Sequence, residues 1–278
     1  MTTARSNEQT IHEQVRERYA DVAKTGGMTR DTGCCSAGNA IVATRLGYTG
    51  EDLDAVPEGA NLGVGCGAPL AHAELRPGET VLDLGSGAGF DAFLAAHEVG
   101  PEGRVIGVDM TPEMIERATR NAASGSYSNV EFRHGLIEKL PVDTGSVDVV
   151  ISNCVINLAP DKRAVFVEVA RVLRPGGRMI VSDVVLDAPL PEAVLDSVAA
   201  WTGCIAGASL RKDYLQGVTD AGLRQVEVLD ELGFGEVALA MAPPEMIEMA
   251  KAAGIDIEAV ASTVRSVKVR ALKPGGPE

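Results

Sequence analysis

The chain has 278 residues, 45% of them apolar and 23% charged, the make-up of a globular protein with one large domain or a core carrying a smaller module. Its 39 acidic residues against 25 basic ones give a formal net charge of −14, spread along the chain, and this excludes the basic face that a nucleic-acid binder needs. The first twenty residues lack an apolar h-region and no stretch approaches the ~20 apolar residues of a membrane span, so no membrane association is expected and the cytoplasm is the predicted compartment. In that reducing environment the five cysteines are not expected to be structural disulfides.

Residues 8–24 read as a helix, with Ile11, Val15, Tyr19 and Val22 at three- and four-residue spacing. A glycine-rich stretch follows with Gly26, Gly27, Gly33, Cys34 and Cys35, then a helix over 37–46 that stops at Gly47, then the irregular segment NLGVGCGAP (61–69) around Cys66. Residues 1–72 therefore form an N-terminal cover of short helices and mobile cysteine loops without a sizeable core. From residue 80 short apolar runs alternate with helices: Val81–Leu84, Val105–Val108, Val130–Phe132, Val147–Ser152 and Arg178–Leu186, with helices at 90–99, 112–124 and 161–173. Thr111 before Pro112 reads as an N-cap, and Pro175-Gly176-Gly177 ends the third helix. Strands separated by helices imply parallel βαβ units. Beyond Leu186 a helix through 192–207 carries Trp201 and Cys204, a second spans 211–221, and Val226–Leu229 and Ser266–Leu272 read as closing antiparallel strands. The predicted architecture is α/β, a doubly wound, mostly parallel seven-stranded sheet in a core over 73–186, completed by 187–278. No coiled coil or oligomerisation helix appears, so a monomer is expected.

The segment VLDLGSGAGFDAF (81–93) runs strand, glycine turn, helix, which lets backbone approach a ligand closely at a helix N-terminus. It is not the dinucleotide fingerprint G-x-G-x-x-G, because Gly85, Gly87 and Gly89 give G-x-G-x-G and Phe90 stands where the third glycine belongs. Asp83 precedes the turn, and Asp109 ends the next strand, placed to accept hydrogen bonds from ribose hydroxyls. With both acids the arrangement resembles the class I methyltransferases that use S-adenosylmethionine. That resemblance covers about 73–186 and implies that Asp83 lies near the methionine part of the ligand, Asp109 on the ribose and Glu138 near the adenine. Gly85, Ser86, Gly87, Met110, Ile137 and Asn153 complete the implied cofactor-binding set.

Ligands of an open parallel sheet bind beyond the carboxyl ends of its strands. Cys154 follows the fourth strand in SNCVINL (152–158), and in the usual strand order that strand lies beside the first, so Cys154 falls close to the donor methyl. Its bland alternative is a small buried hydrophobe, and that alternative is stronger for Cys204 beside Trp201. Cys66 and the Cys34-Cys35 pair lie in glycine-rich loops, where reactivity or ligation explains them better than packing. Zinc does not suit the spacing, since there is no C-x₂₋₄-C or H-x₃₋₅-H pair and the four histidines (His12, His72, His97, His134) are scattered as surface residues. Isolated thiols converging on one soft centre fit a thiophilic metalloid better.

TGCCSAGNA (32–40), NLGVGCGAP (61–69), SNCVINL (152–158) and WTGCIAGA (201–208) together resemble the arsenite methyltransferases in their bacterial form, over about 19 to 272. The resemblance implies methyl transfer from S-adenosylmethionine to the lone pair of trivalent arsenic, presented as arsenite or methylarsenite on thiols. It implies that Cys154 and Cys204 bind arsenic directly and that Cys66 is a third thiol. Cys34 or Cys35 would pair with Cys66 in a transient disulfide, the doubled cysteine leaving the active member open. A thiol reductant, thioredoxin or glutathione, is implied as co-substrate. Asn153 and Asn157 either position the donor or are turn-capping residues. The rival readings are a methyltransferase for a small carbon, nitrogen or sulfur acceptor, which needs a catalytic base near Cys154, a NAD-dependent oxidoreductase, which Phe90 disfavours, and a metalloid-sequestering module without turnover, which the intact Asp83–Gly89 and Asp109 set disfavours.

Overall fold

Strands buried on both faces must be apolar at every position, and the central runs of this chain satisfy that requirement. The computed structural model of the chain describes residues 2–27, 35–191, 207–235 and 254–275, with short helical pieces at 247–248 and 251–252. Five parallel strands, β1 (Thr80–Leu84), β2 (Arg104–Asp109), β3 (Val130–His134), β4 (Val147–Asn153) and β5 (Leu173–Leu186), carry the core. Two further long strands, β7 (Arg224–Gly233) and β8 (Val264–Leu272), close the sheet antiparallel. The order is β3-β2-β1-β4-β5-β8-β7, the expected seven-stranded path. An eighth strand, the two-residue β6 (Ser209–Leu210), pairs with β5 and adds to that expectation.

The helices α1 (Thr2–Thr25), α2 (Cys35–Arg45), α3 (Gly50–Asp54), α4 (Phe90–Val99), α5 (Pro112–Ser124), α6 (Lys162–Val172), α7 (Arg211–Asp220) and α8 (Ile257–Ser262) flank the sheet. Side chains alternate across the pleat. Val81, Val149, Ile151 and Ile180 face one way, against Ala92, Ala95 and Ala96 of α4, while Leu82, Val150, Met179 and Val181 face Val165, Phe166 and Val169 of α6 and Tyr214 and Val218 of α7. Val15, Ala43, Leu46, Tyr48, Cys66 and Leu70 are buried in the same cluster as Val81 and Ile151, so the N-terminal segment shares the core of the sheet. Its first helix, at 24 residues, is longer than the short helix expected.

Helices α4 and α5 have the bounds read from the sequence, and α6 is one residue shorter at each end. Thr111 occupies the N-cap of α5 with extended backbone, but its side chain makes no capping bond. The carboxylate of Asp109 takes the backbone N–H of Thr111 instead, at 2.8 Å. The strand expected from Arg178 begins directly at Leu173 after α6, running through the Pro175-Gly176-Gly177 segment expected to end the helix. The helix expected over 192–207, with Trp201 and Cys204, lies outside the described residues except at 207. Among the described residues no helix is long and apolar enough to cross a membrane.

Candidate active site

The strand order reverses between β1 and β4, and at such a switch point the loops leave in opposite directions and open a crevice. Here that crevice is a cleft lined by Asp83, Gly85, Ser86, Gly87, Asp109, Met110, Ile137, Glu138, Asn153 and Cys154. His12, Val15 and Tyr19 of α1 and residues 60–65 cover it. The turn after β1 needs Gly85: its φ is +64°, and a Cβ there would overlap the side chain of Val155.

One end of the cleft is acidic. Asp83 is buried on β1; it accepts a hydrogen bond from the backbone of Ala92, and its Oδ2 has no partner. Burial, then the charges of Asp91 and Asp109, hold its carboxyl well above the usual range. Asp109 accepts from Gly87 N at 3.0 Å and Thr111 N at 2.8 Å, and burial still raises it. Asp91, in the first turn of α4, accepts from Tyr48 Oη at 2.7 Å and Asn153 Nδ2 at 3.1 Å, and burial pushes it up to about 6. No lysine or arginine lines the cleft among the described residues. Closely spaced carboxylates with no lysine or arginine beside them in the cleft lining suit a ligand that brings positive charge.

The other end carries sulfur. Cys154 leaves β4 with φ +61°, a left-handed conformation that costs a non-glycine residue roughly 1–2 kcal/mol, and its N–H donates to Ser182 O at 2.8 Å. Such strain is held by surroundings that over-determine it. Cys66, fully buried, donates its N–H to Asn153 Oδ1 at 3.0 Å and lies with Sγ 3.5 Å from Ser182 O. The two sulfurs and a carboxylate oxygen of Asp183 all lie within 4.8 Å of one another, and neither cysteine is in a disulfide. Asp183 sits inside β5, and burial pushes its carboxyl up to about 7 against the hydrogen bonds it receives.

One side chain joins the two ends. Asn153 Nδ2 lies 2.8 Å from Tyr48 Oη, 2.7 Å from Gly67 O and 3.1 Å from Asp91, while its Oδ1 holds the backbone of Cys66.

Every residue expected at the cofactor lines the cleft, and so does Cys154. Cys66 stands behind Cys154. Cys34 and Cys204 lie outside the described residues, and Cys35 begins α2 with its side chain undescribed. Asn157 does not reach the cleft: its Nδ2 donates to Asp183 Oδ1 at 2.7 Å in the interior. His12, read as a surface residue, is instead half-buried at the cleft, with Nε2 2.9 Å from Glu138 Oε1. The structure adds Tyr48 and Asp91, which line the cleft, and Asp183, which meets the two sulfurs. A lone acid within the apolar run VSDVV was the available signal for Asp183.

A family profile described as a methyltransferase domain matches residues 75–222. The chain is 53% identical over 238 residues to an arsenite methyltransferase of Halobacterium salinarum, a match covering 82% of this chain and 61% of that relative. It is 33% identical over 276 residues to the arsenite methyltransferase of Mus musculus, covering 95% of this chain and 69% of the relative. The crystal structure of an arsenic(III) S-adenosylmethionine methyltransferase from Chlamydomonas reinhardtii superposes with a TM-score of 0.61 at 31% identity, over 89% of this chain and 76% of that one. The chain thus spans less than two thirds of the Halobacterium relative's length.

Proposed function

The chain belongs to the arsenite methyltransferase family, and from that premise we propose that it transfers a methyl group from S-adenosylmethionine to trivalent arsenic held on its own cysteine thiolates. The observation that carries this reading is that Cys154, in the wall of an acidic cleft, has the sulfur of Cys66 within 4.8 Å of its own.

The cleft fits the donor on its own chemistry. Asp83 Oδ2 and Ser86 Oγ are buried without partners; burial makes Asp83 and Asp109 disfavour their charge until a cation arrives, and at Asp83 the charges of Asp91 and Asp109 add to it. S-adenosylmethionine, when bound, supplies a methyl group already activated by a sulfonium. Asp83 and Asp91 balance positive charge at the methionine end, Asp109 accepts the ribose hydroxyls, and Met110, Ile137 and Glu138 receive the adenine. Gly85, Ser86 and Gly87 let backbone close on the ligand. Cys154, with Cys66 behind it and Cys204 from the following segment, holds arsenic with its lone pair toward the donor. The catalytic contribution is orientation, since no proton must leave the nucleophile. Residues 1–72 act as the cover, 73–186 as the donor-binding core and 187–278 as the arsenic-binding completion of the sheet. Cys34 or Cys35 cycles with Cys66 as a disulfide, and thioredoxin or glutathione returns arsenic and thiols to their reduced states. The enzyme works as a cytoplasmic monomer. A small carbon, nitrogen or sulfur acceptor would leave the buried thiols without a task.

The test incubates the protein with S-adenosylmethionine, arsenite and excess thiol, then separates arsenic species by chromatography with mass detection. Methylated arsenic is expected. Its absence in a protein that binds the donor would move the acceptor to carbon, nitrogen or sulfur.

A further inference from the structure

Trivalent arsenic makes its strong bonds to sulfur, whereas the Cys66–Cys154 pair comes with a carboxylate. Both thiols and Asp183 are buried, with donor atoms within 4.8 Å of one another. Tetrahedral coordination at ordinary bond lengths places two sulfurs and an oxygen about 3.6–3.8 Å apart, so each pair needs to close by about 1.2 Å at most. The carboxylate is already oriented as a ligating carboxylate would be. Asn157 Nδ2 and Val184 N donate to its Oδ1 at 2.7 and 2.9 Å, and Tyr214 Oη donates to Oδ2 at 3.1 Å. The cysteine backbones are equally fixed, through Asn153 and Ser182 and through Ser266 Oγ, which donates to Cys66 O at 2.6 Å. Such outer bonds are what tune a metal site. Ser182 Oγ and Asn157 Oδ1, on residues already bonded to this group, are buried without a hydrogen-bond partner.

We propose that Cys66, Cys154 and Asp183 form a two-sulfur, one-oxygen site for a soft or borderline divalent cation of the zinc and cadmium class, in competition with arsenic. Zinc and cadmium accept mixed thiolate and carboxylate sets, with a fourth position open to water. Three anionic ligands around a dication leave one net negative charge in the interior. Binding releases the thiol protons, and no oxidation or reduction is involved. The competition rests on the reading that these thiols also hold arsenic; the cation site does not. Asp183 is then the residue that separates the two ligands, since a carboxylate adds to divalent binding and little to a bond between arsenic and sulfur.

The experiment titrates the fully reduced chain with cadmium, following thiolate-to-cadmium charge-transfer absorption, and separately with a trivalent phenylarsenical. One cadmium per chain with that absorption is expected. Asp183→Asn should weaken cadmium at least 10-fold and change arsenical affinity less than 3-fold, while Cys154→Ser loses both. Should Asp183→Asn fail to fold, Tyr214→Phe must weaken cadmium several-fold without weakening the arsenical, because it loosens only the carboxylate. Equal effects on both ligands, no effect on cadmium, or cadmium binding without the thiolate band would overturn the proposal. Cadmium binding in a protein that does not bind the arsenical would sink the arsenic reading and leave the cation site standing.

Discussion

The acidic and sulfur-bearing ends of the cleft are assembled by different means. Asp83 and Asp109 are each delivered by the end of the strand that carries them, and Ser86, Gly85 and Gly87 belong to the turn that follows β1. The sulfur end gathers Cys66 from a loop of the N-terminal segment, Cys154 from a left-handed turn after β4 and Asp183 from inside β5. Local sequence builds the first, and the packing of distant segments builds the second. Asn153 is bonded to both. The ends should therefore fail separately under most substitutions and together under one.

The largest separation is expected at Cys154. Cys154→Ser should lower methyl transfer to arsenic at least 1000-fold, because oxygen does not replace a thiolate on a thiophilic centre, while donor affinity by calorimetry stays within about 2-fold. Asp109→Ala should do the reverse, raising the donor Kd roughly 10- to 100-fold for the loss of hydrogen bonds to a charged group and sparing arsenical binding. Asn153→Ala breaks the division. It releases both the Tyr48–Asp91 pair and the Cys66 backbone, so donor and arsenical should each bind about 10-fold more weakly. Titrating each ligand with and without the other checks this, because mutual enhancement in the parent protein should vanish in the variant.

A fourth test uses pH. Burial lifts Asp91 to about 6, above its ordinary value of about 3.9 in an unfolded chain. The folded protein then binds more protons than the unfolded one between those values, so the stabilisation is complete below about pH 4 and disappears as pH rises through 6. Linkage puts its size at roughly 3 kcal/mol. Asp91→Asn should flatten that decline in urea unfolding across pH 4 to 7. A cationic donor favours the charged carboxylate, so donor affinity should rise with pH up to about 6 in the parent protein and not in the variant. The smallest effect is expected at the cover. His12→Ala removes the contact to Glu138, whose partners are partly exposed, and should raise the donor Kd about 2- to 5-fold, measured by the same calorimetry.

What the sequence made legible follows the same division. The glycine turn, Asp83 and Asp109 are readable because period, spacing and residue type lie close together in the chain. Cys154 was reachable by one further step, since topology alone puts the fourth strand beside the first. Asp183 was not readable as part of a site, because within VSDVV it looks like one polar position in a buried strand and only the fold sets it against two sulfurs. Tyr48 and Asp91 were hidden for a related reason: each meets its partner across a long stretch of chain, with no periodicity to announce it. The place of His12 is not legible in the sequence, because a helix that reads as amphipathic does not reveal that its half-polar edge lies over a cleft.

Methyl transfer as proposed requires arsenic to be held by these particular thiols. X-ray absorption at the arsenic edge, on protein loaded with one equivalent of trivalent arsenic and no added thiol, measures that directly. At least two sulfur neighbours are predicted in the parent protein and one fewer in Cys154→Ser. An oxygen-dominated shell, or a sulfur count that Cys154→Ser leaves unchanged, would contradict the account.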